Sequence, residues 1–375
     1  MYKRIFEKAF DKWINSREIL IIYGARQVGK TTFLHQYLDE RTDTIILNCE
    51  LPDVFDTLQN QHLESIKFLF GQHKIIALDE AQNIPFIGKT LKLIYDELPN
   101  FKLIVTGSSS FELSSHITEA LTGRNIKFRV FPLTLREISQ KTNGLQLTQK
   151  LNELLIFGSY PGLIDLPVDL KIRKLNELTS DYLFKDVLIH ESIKNPAVLR
   201  KLLKALAFQV GSQVSINELS GLLGVSRQTV EKYIELLEKS FIIFRLGSFS
   251  SNLRNEIKKS MKIFFYDNGI RNAILNNLNP VQNRTDMGFL WENFCVSERV
   301  KQSQSLELNN EFYFWRTYDG AEIDLLEVKD GKINTYEFKW KSKRKPKLPE
   351  SFNKKYNTES YNIISSGNFY ELMNL

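Results

Sequence analysis

The chain has little with which to staple itself together. Its 375 residues include two cysteines, Cys49 and Cys295, too few for a disulfide framework and without the paired spacing of a zinc site. Both are expected as buried thiols. No apolar run approaches the roughly 20 residues that a membrane-spanning helix needs, and Met1-Tyr2-Lys3-Arg4 leads into no signal-peptide core. The expected location is therefore the cytosol, with no membrane partner. Internal repeats and low-complexity tracts are missing too, which excludes solenoids and disordered arrays. Neither sign of charge dominates: the net charge of +6 permits nucleic-acid contact without requiring it. What remains is an ordinary globular composition, 42% hydrophobic and 25% charged with 26 Phe, at a length that calls for two or three domains.

Against that background one segment is specific. Gly24-Ala25-Arg26-Gln27-Val28-Gly29-Lys30-Thr31 is a complete G-x-x-x-x-G-K-[ST] phosphate loop, entered from the apolar run Ile19-Leu20-Ile21-Ile22 and followed by Thr32 in a helix-compatible stretch. Glycines let backbone N–H groups turn in around phosphates, Lys30 reaches the β and γ oxygens, and the Thr31 hydroxyl suits Mg²⁺. ATP and Mg²⁺ are the expected ligands. Ile75-Ile76-Ala77-Leu78 runs into Asp79-Glu80, so Asp79 falls where a strand-end aspartate holds Mg²⁺ and Glu80 where a base orients water. Lys102-Leu103-Ile104-Val105 ends at Thr106-Gly107-Ser108-Ser109, whose hydroxyls, Ser108 among them, are candidates to sense the γ-phosphate. Ile45-Ile46-Leu47-Asn48 and Phe128-Arg129-Val130-Phe131 complete the expected sheet. Arg124, in Leu121-Thr122-Gly123-Arg124, is a candidate arginine finger in its own subunit or in a neighbour of a homo-oligomer, with a plain salt-bridge arginine as the alternative.

After a loop at residues 140–144 the character changes to helices such as Val198-Leu199-Leu202-Leu203-Leu206. Ile216 to Leu223 reads as a helix, Gly224-Val225 as a turn, and Ser226 as the cap of a second helix with Val230, Ile234 and Leu237 inward. Phe241 to Leu246 reads as a following wing strand. Arg227, Gln228 and Lys232 would then meet phosphates or base edges of DNA or RNA, unless the unit is a protein-packing lid.

Near the C-terminus Asp330-Gly331 is a two-residue hairpin turn. Setting Lys329 opposite Lys332 places Asp324 across from Glu337 and Glu322 across from Lys339, all on one face. Opposed carboxylates about 5 Å apart repel unless compensated, and a divalent cation between Asp324 and Glu337 would compensate them. Lys339 could then steady a developing negative charge. Acid, then acid-x-Lys on the adjoining strand resembles the PD-(D/E)xK nuclease core, with Glu292 or Glu298 on an upstream helix to complete it. The alternative is a salt-bridged surface hairpin joining Glu322 to Lys339. Lys339, Lys341, Lys343, Arg344, Lys345 and Lys347 form a basic run that could serve as a phosphate-binding rim.

Taken together, the loop with Thr32, Leu78-Asp79-Glu80-Ala81-Gln82, Thr106-Gly107-Ser108-Ser109-Ser110, Leu121-Thr122-Gly123-Arg124 with Phe131-Pro132-Leu133-Thr134, Phe157-Gly158-Ser159-Tyr160-Pro161-Gly162, Tyr266-Asp267-Asn268-Gly269-Ile270-Arg271, Gly288-Phe289-Leu290-Trp291-Glu292-Asn293, Trp315-Arg316-Thr317 and Glu337-Phe338-Lys339 resemble a bacterial and archaeal family. Its members are AAA-like ATPases with a restriction-endonuclease-like C-terminal domain. The resemblance implies an α/β protein in three parts. An AAA-like P-loop parallel sheet of the additional-strand type spans 1–140, a helical and winged-helix domain 141–255, and a restriction-endonuclease-like α/β domain 256–375. It carries Lys30, Thr31, Asp79 and Glu80 onto ATPase roles. The implied function is a Mg²⁺-dependent ATPase coupled to a nuclease-like domain; the competing reading is an ATP-dependent switch whose C-terminal domain is catalytically silent.

Overall fold

The computed structural model describes residues 2–107, 121–182, 193, 195–250, 261–341 and 346–374. Two compact units emerge, one formed by residues 3–131 with 239–241, the other by 132–238 and 242–374.

In the first unit the near-continuous apolar runs become strands buried on both faces. These are β1 (Ile19–Tyr23), β3 (Ile75–Asp79) and β4 (Lys102–Gly107), flanked by the half-buried edges β2 (Thr44–Asn48) and β5 (Asn125–Arg129). Strand order is β2-β3-β4-β1-β5, and every pairing is parallel. An extra strand, β4, thus separates the strand feeding the phosphate loop from the strand ending in Asp79. Parallel pairing demands crossovers, and helices Lys30–Leu38, Pro52–Asn60, Leu63–Phe70 and Ile87–Glu97 supply them. Phe6 and Phe10, at the start of the helix Glu7–Trp13, pack against Phe33 and Phe128 with ring centroids as close as 4.6 Å. Those rings seat the first turn of the phosphate-loop helix on the sheet, each burial contributing roughly 1.5–3 kcal/mol.

The second unit begins with helices Leu135–Ser139, Gly144–Phe157, Val168–Glu177 and Pro196–Phe208. In the last of these Leu199, Leu202, Leu203 and Leu206 are all fully buried, as their spacing requires. The helix Ile216–Leu223 ends at Gly224 in the left-handed region (φ 65°), and the Ser226 hydroxyl accepts the Thr229 N–H to start the helix Arg227–Lys239. A strand starting at Phe241 does not form. Phe241 has φ 57°, a left-handed conformation incompatible with a ladder, and its ring packs on Tyr23 and Phe131 of the first unit, to which residues 239–241 belong.

The strand instead runs Ile243–Ser248 (β7), and it does not stay with the helices. It joins β6 (Gln213–Val214), β8 (Met261–Phe265), β9 (Glu311–Arg316), β10 (Glu322–Lys329), β11 (Lys332–Phe338) and β12 (Ser360–Ile364) in one sheet of order β12-β11-β10-β9-β7-β8-β6. The expected division at residue 255 is therefore bridged by the parallel pairing of β7 with β9. Similarly, Pro132 onward packs with the second unit, eight residues before the loop expected as the boundary at 140. The long helix Met287–Ser305 packs on β8 and β11, whereas Trp315, Ile323, Leu326, Ile333 and Phe352 form a separate apolar cluster.

Two of the quoted segments turn out to be each other's partners. Asp267 accepts the Ser159 N–H at 2.7 Å and caps the helix Asn268–Ile274 through the Ile270 N–H at 3.1 Å. A β-carbon on Gly158 (φ 75°) would lie 1.9 Å from the Asp267 carboxylate, and one on Gly269 would lie 2.1 Å from the Phe157 carbonyl oxygen. Their glycines serve close packing.

Candidate functional site

The phosphate loop leaves the carboxyl end of β1, where open parallel sheets put ligand chemistry. Gly24 has no room for a side chain, because a β-carbon there would sit 2.1 Å from the Val130 carbonyl oxygen. Gln27 (φ 60°) and Gly29 (φ 95°) are both left-handed, which turns the loop back toward the helix Lys30–Leu38. Ala25 and Val28 anchor it inward, while Arg26 is half-buried and Thr32 exposed in the first helical turn. Lys30 is buried, its amine donating to the Gly24 and Ala25 carbonyls at 3.1 and 2.9 Å. The loop is thus folded around the cation it would offer to phosphate.

Three side chains converge on the end of β3. Thr31 Oγ1 donates to Asp79 Oδ2 at 2.8 Å, and Thr106 Oγ1 donates to Asp79 Oδ1. Thr106 Oγ1 also accepts the Glu80 N–H at 3.1 Å. The sequence motifs of β1, β3 and β4 therefore meet at one point. A hydroxyl and a carboxylate within hydrogen-bond reach at the phosphate-loop helix fit a Mg²⁺ ion as donors. Ser108 lies outside the described residues. Cys49 is buried beside this point, as expected, and burial and then Asp79 and Glu80 push its thiol up to about 12.

Arg124 is not there. Its carbonyl accepts the Ile19 N–H at 2.9 Å, which fixes it at the amino end of β1. A five-residue strand puts about 13 Å between that end and the loop. Its side chain pairs with Asp96 at 3.2 Å and lies over the Tyr95 ring at 5.8 Å. An own-chain role at the phosphates is excluded by this placement, since β5 starts at Asn125 and not at Phe128.

At the C-terminal hairpin the register is as read: Lys329 pairs with Lys332 and Leu325 with Tyr336, around a turn with φ 50° at Asp330 and 77° at Gly331. Glu337 Oε1 is 2.6 Å and Asp324 Oδ2 3.8 Å from Lys339 Nζ, and Asp324 Oδ2 accepts the Phe338 N–H at 2.8 Å. Glu322 does not pair with Lys339. It meets Lys262 at 2.6 Å and Arg316 at 3.5 Å, and Lys262 also meets Glu292 at 2.8 Å. Glu298 is engaged elsewhere, with Lys301 at 2.6 Å and the Leu135 N–H at 2.7 Å. Two features were not legible in the sequence: Lys262, which arrives from β8, and a bulge in β10, where Ile323 faces Trp315 but Leu326 faces Tyr313. The bulge sets Asp324 and Leu325 against a single residue of β9, the device by which edge irregularities re-aim side chains.

Burial raises the proton affinity of Glu292, Asp324 and Glu337. Glu292 is pushed up to about 8 by burial, partly offset by Lys262 and reinforced by Asp324. Asp324 is raised by burial against the pull of Lys339, and Glu337 by burial and Asp324. Burial works to discharge Lys262, but Glu292 and Glu322 outweigh it and hold its amine above the ordinary range; Asp324 and Glu337 do the same for Lys339. Among the described residues no three His, Cys, Asp or Glu side chains stand ready to hold a metal ion. Among the described residues, Lys262, Lys339 and Arg316 are the cations that face these four carboxylates. Asp324 and Glu337 each commit one oxygen to the contacts above and would offer the other to a cation.

Elsewhere, Arg227, Gln228 and Lys232 are exposed on the helix Arg227–Lys239, while Val230, Ile234 and Leu237 are buried. Lys341 and Lys347 are exposed; Lys343, Arg344 and Lys345 lie outside the described residues. No helix among the described residues is long and apolar enough to cross a membrane.

Comparison with known proteins agrees with the first unit. Residues 16–139 match the family model described as an AAA domain, residues 148–280 a domain of unknown function (DUF8612), and residues 287–372 another (DUF4143). The N-terminal part of the chain is thus an AAA-type P-loop ATPase domain. An uncharacterized protein of Haemophilus influenzae is 26% identical over 336 residues, covering 84% of this chain and 80% of that one. Another, of Methanocaldococcus jannaschii, is 29% identical over 255 residues, 62% of this chain and 57% of its own length. Among solved structures a Walker-type ATPase of Pyrococcus abyssi aligns over 73% of this chain and 96% of its own, at 20% identity and a TM-score of 0.49.

Proposed function

We propose that this chain is a Mg²⁺-dependent ATP hydrolase whose nucleotide domain works with a nuclease-like C-terminal domain on nucleic acid. The observation that carries the ATPase part is the convergence of Thr31, Asp79 and Thr106 beside a loop that already encloses Lys30. In this reading Lys30 leaves the Gly24 and Ala25 carbonyls for the β and γ oxygens, and loop N–H groups from 24–31 cradle the phosphates, with Thr32 at the helix entrance. Thr31 and Asp79 would hold Mg²⁺, which neutralises charge developing on the transferred phosphoryl group. Glu80 orients the attacking water and takes its proton. Glu80→Gln is expected to bind a fluorescent ATP analogue like the wild type and to lose turnover, and Lys30→Ala to lose both. Wild-type turnover in Glu80→Gln would sink the assignment.

For the C-terminal domain the reading rests on Asp324, Glu337 and Lys339 on adjoining strands, with Glu292 closing the cluster. Asp324 and Glu337 would hold a divalent cation, and Lys339 would face the scissile phosphate. Exposed Arg227, Gln228 and Lys232 would hold the nucleic-acid backbone. A second reading, a catalytically silent interaction module, is favoured by Lys262 and Lys339, whose amines already sit on the carboxylates. Nicking of supercoiled plasmid with Mg²⁺ or Mn²⁺, in ATP, ADP and nucleotide-free states, separates the two; no cleavage in any state supports the silent module.

A further inference from the structure

Glu80 has a left-handed backbone, φ 55° and ψ 39°, a region that residues bearing a side chain rarely adopt. Such a conformation persists only where the surroundings over-determine it. Three neighbours do so here. Thr106 Oγ1 takes the Glu80 N–H at 3.1 Å, Asn83 Nδ2 donates to the Glu80 carbonyl at 3.0 Å, and Gln82 Nε2 donates to Glu80 Oε2 at 2.6 Å. The single 3-10 turn Ala81–Asn83 is what folds the Gln82 side chain back over the residue two positions before it. An ionised carboxylate is acceptor-only, so the group that Gln82 presents to it must be the amide N–H.

We propose that Gln82 is a positioning residue for ATP hydrolysis: by holding Oε2 it fixes the carboxylate rotamer and presents Oε1 to the attacking water. This rests on the reading of Glu80 as the water-orienting group. A glutamate on three rotatable bonds would otherwise sample several rotamers, and a general base misplaced by about an ångström costs on the order of a hundredfold in rate. A neutral amide does this without adding charge beside the phosphates. Gln82 needs no contact with nucleotide, so its loss should appear in kcat and not in nucleotide affinity.

The test is a double-mutant cycle on the full chain, with Glu80→Gln, Gln82→Ala, Gln82→Glu and the Glu80→Gln/Gln82→Ala pair. Gln82→Ala should lower kcat about ten- to hundredfold at unchanged affinity for a fluorescent nucleotide. Gln82→Glu, which keeps the shape but at pH 8 has no donor, should lose at least as much. In the Glu80→Gln background, removing Gln82 should change the residual rate less than twofold, because Gln82 acts only through Glu80. Wild-type or faster turnover in both Gln82 variants would overturn the proposal. So would an equal loss in the two backgrounds, or a fall in nucleotide affinity matching the fall in kcat. Wild-type turnover in Glu80→Gln would instead remove the reading of Glu80 on which this one stands.

Discussion

Glu292→Gln should make the C-terminal unit more stable in alkaline solution while leaving it nearly unchanged in acid. In the folded chain Glu292 is buried against Lys262 and Asp324 and its proton affinity is raised from 4.5 to about 8, whereas an unfolded chain titrates it near the ordinary value. Between those limits the folded state binds more protons than the unfolded one. Stability therefore falls as pH rises through this window; the contribution is fully present below about 4.5 and lost above about 8. At about 1.4 kcal/mol per pH unit the ceiling is roughly 5 kcal/mol. Asp324 and Glu337 share protons with Glu292, so we expect about 2–4 kcal/mol for Glu292 alone. Glutamine cannot ionise, and Lys262 keeps Glu322 as a partner at 2.6 Å. The measurement is urea denaturation from pH 5 to 9, followed by tryptophan fluorescence. Trp291 is fully buried next to Glu292, and Trp315 and Trp340 lie in the same unit. Wild type and variant should coincide near pH 5 and diverge toward pH 9, the variant being the more stable. Parallel curves, or a variant less stable at pH 9, would show that Glu292 carries no buried charge.

Two further outcomes bear on the proposed reaction. Because Arg124 sits at the far edge of its own sheet, any catalytic use of it is by a neighbour: mixing Arg124→Ala with Lys30→Ala chains should restore turnover that neither has, toward the roughly 10³-fold effect of such fingers, and a mixture as inactive as its parts would leave Arg124 with its Asp96 pair alone. If Asp324 helps to hold a divalent cation, wild-type melting temperature should rise with Mn²⁺ and Asp324→Asn should lose that rise; a wild-type curve insensitive to Mn²⁺ would favour the silent module.

How much of this was legible follows from how local each feature is. The phosphate loop was readable because its glycines, lysine and hydroxyl act within eight residues, where backbone geometry alone places them. The hairpin register was readable because a two-residue turn fixes pairing on both sides, so the pairing from Lys329–Lys332 to Leu325–Tyr336 followed from Asp330-Gly331. Arg124 was misplaced by a boundary: β5 begins at Asn125, three residues before the apolar run at Phe128, because an edge strand half-exposed to solvent tolerates the polar Asn125 and Lys127 that a buried strand would not.

Lys262 marks the harder limit. Nothing near it in sequence calls for a buried lysine; the demand comes from Glu292, 30 residues later, and Glu322, on a strand reached only through the order β10-β9-β7-β8. Pairing of that kind is settled by the whole sheet. The same topology bears on the boundary expected at residue 255, which lies outside the described residues: a wing-like strand looks terminal in sequence until a parallel partner, β9, adds to it. A lysine delivered across that junction ties the helical segment's sheet to the acidic hairpin. The charge state of Glu292 and Asp324 thus depends on a residue supplied by β8, and a displacement of β8 would leave carboxylates buried without their cation.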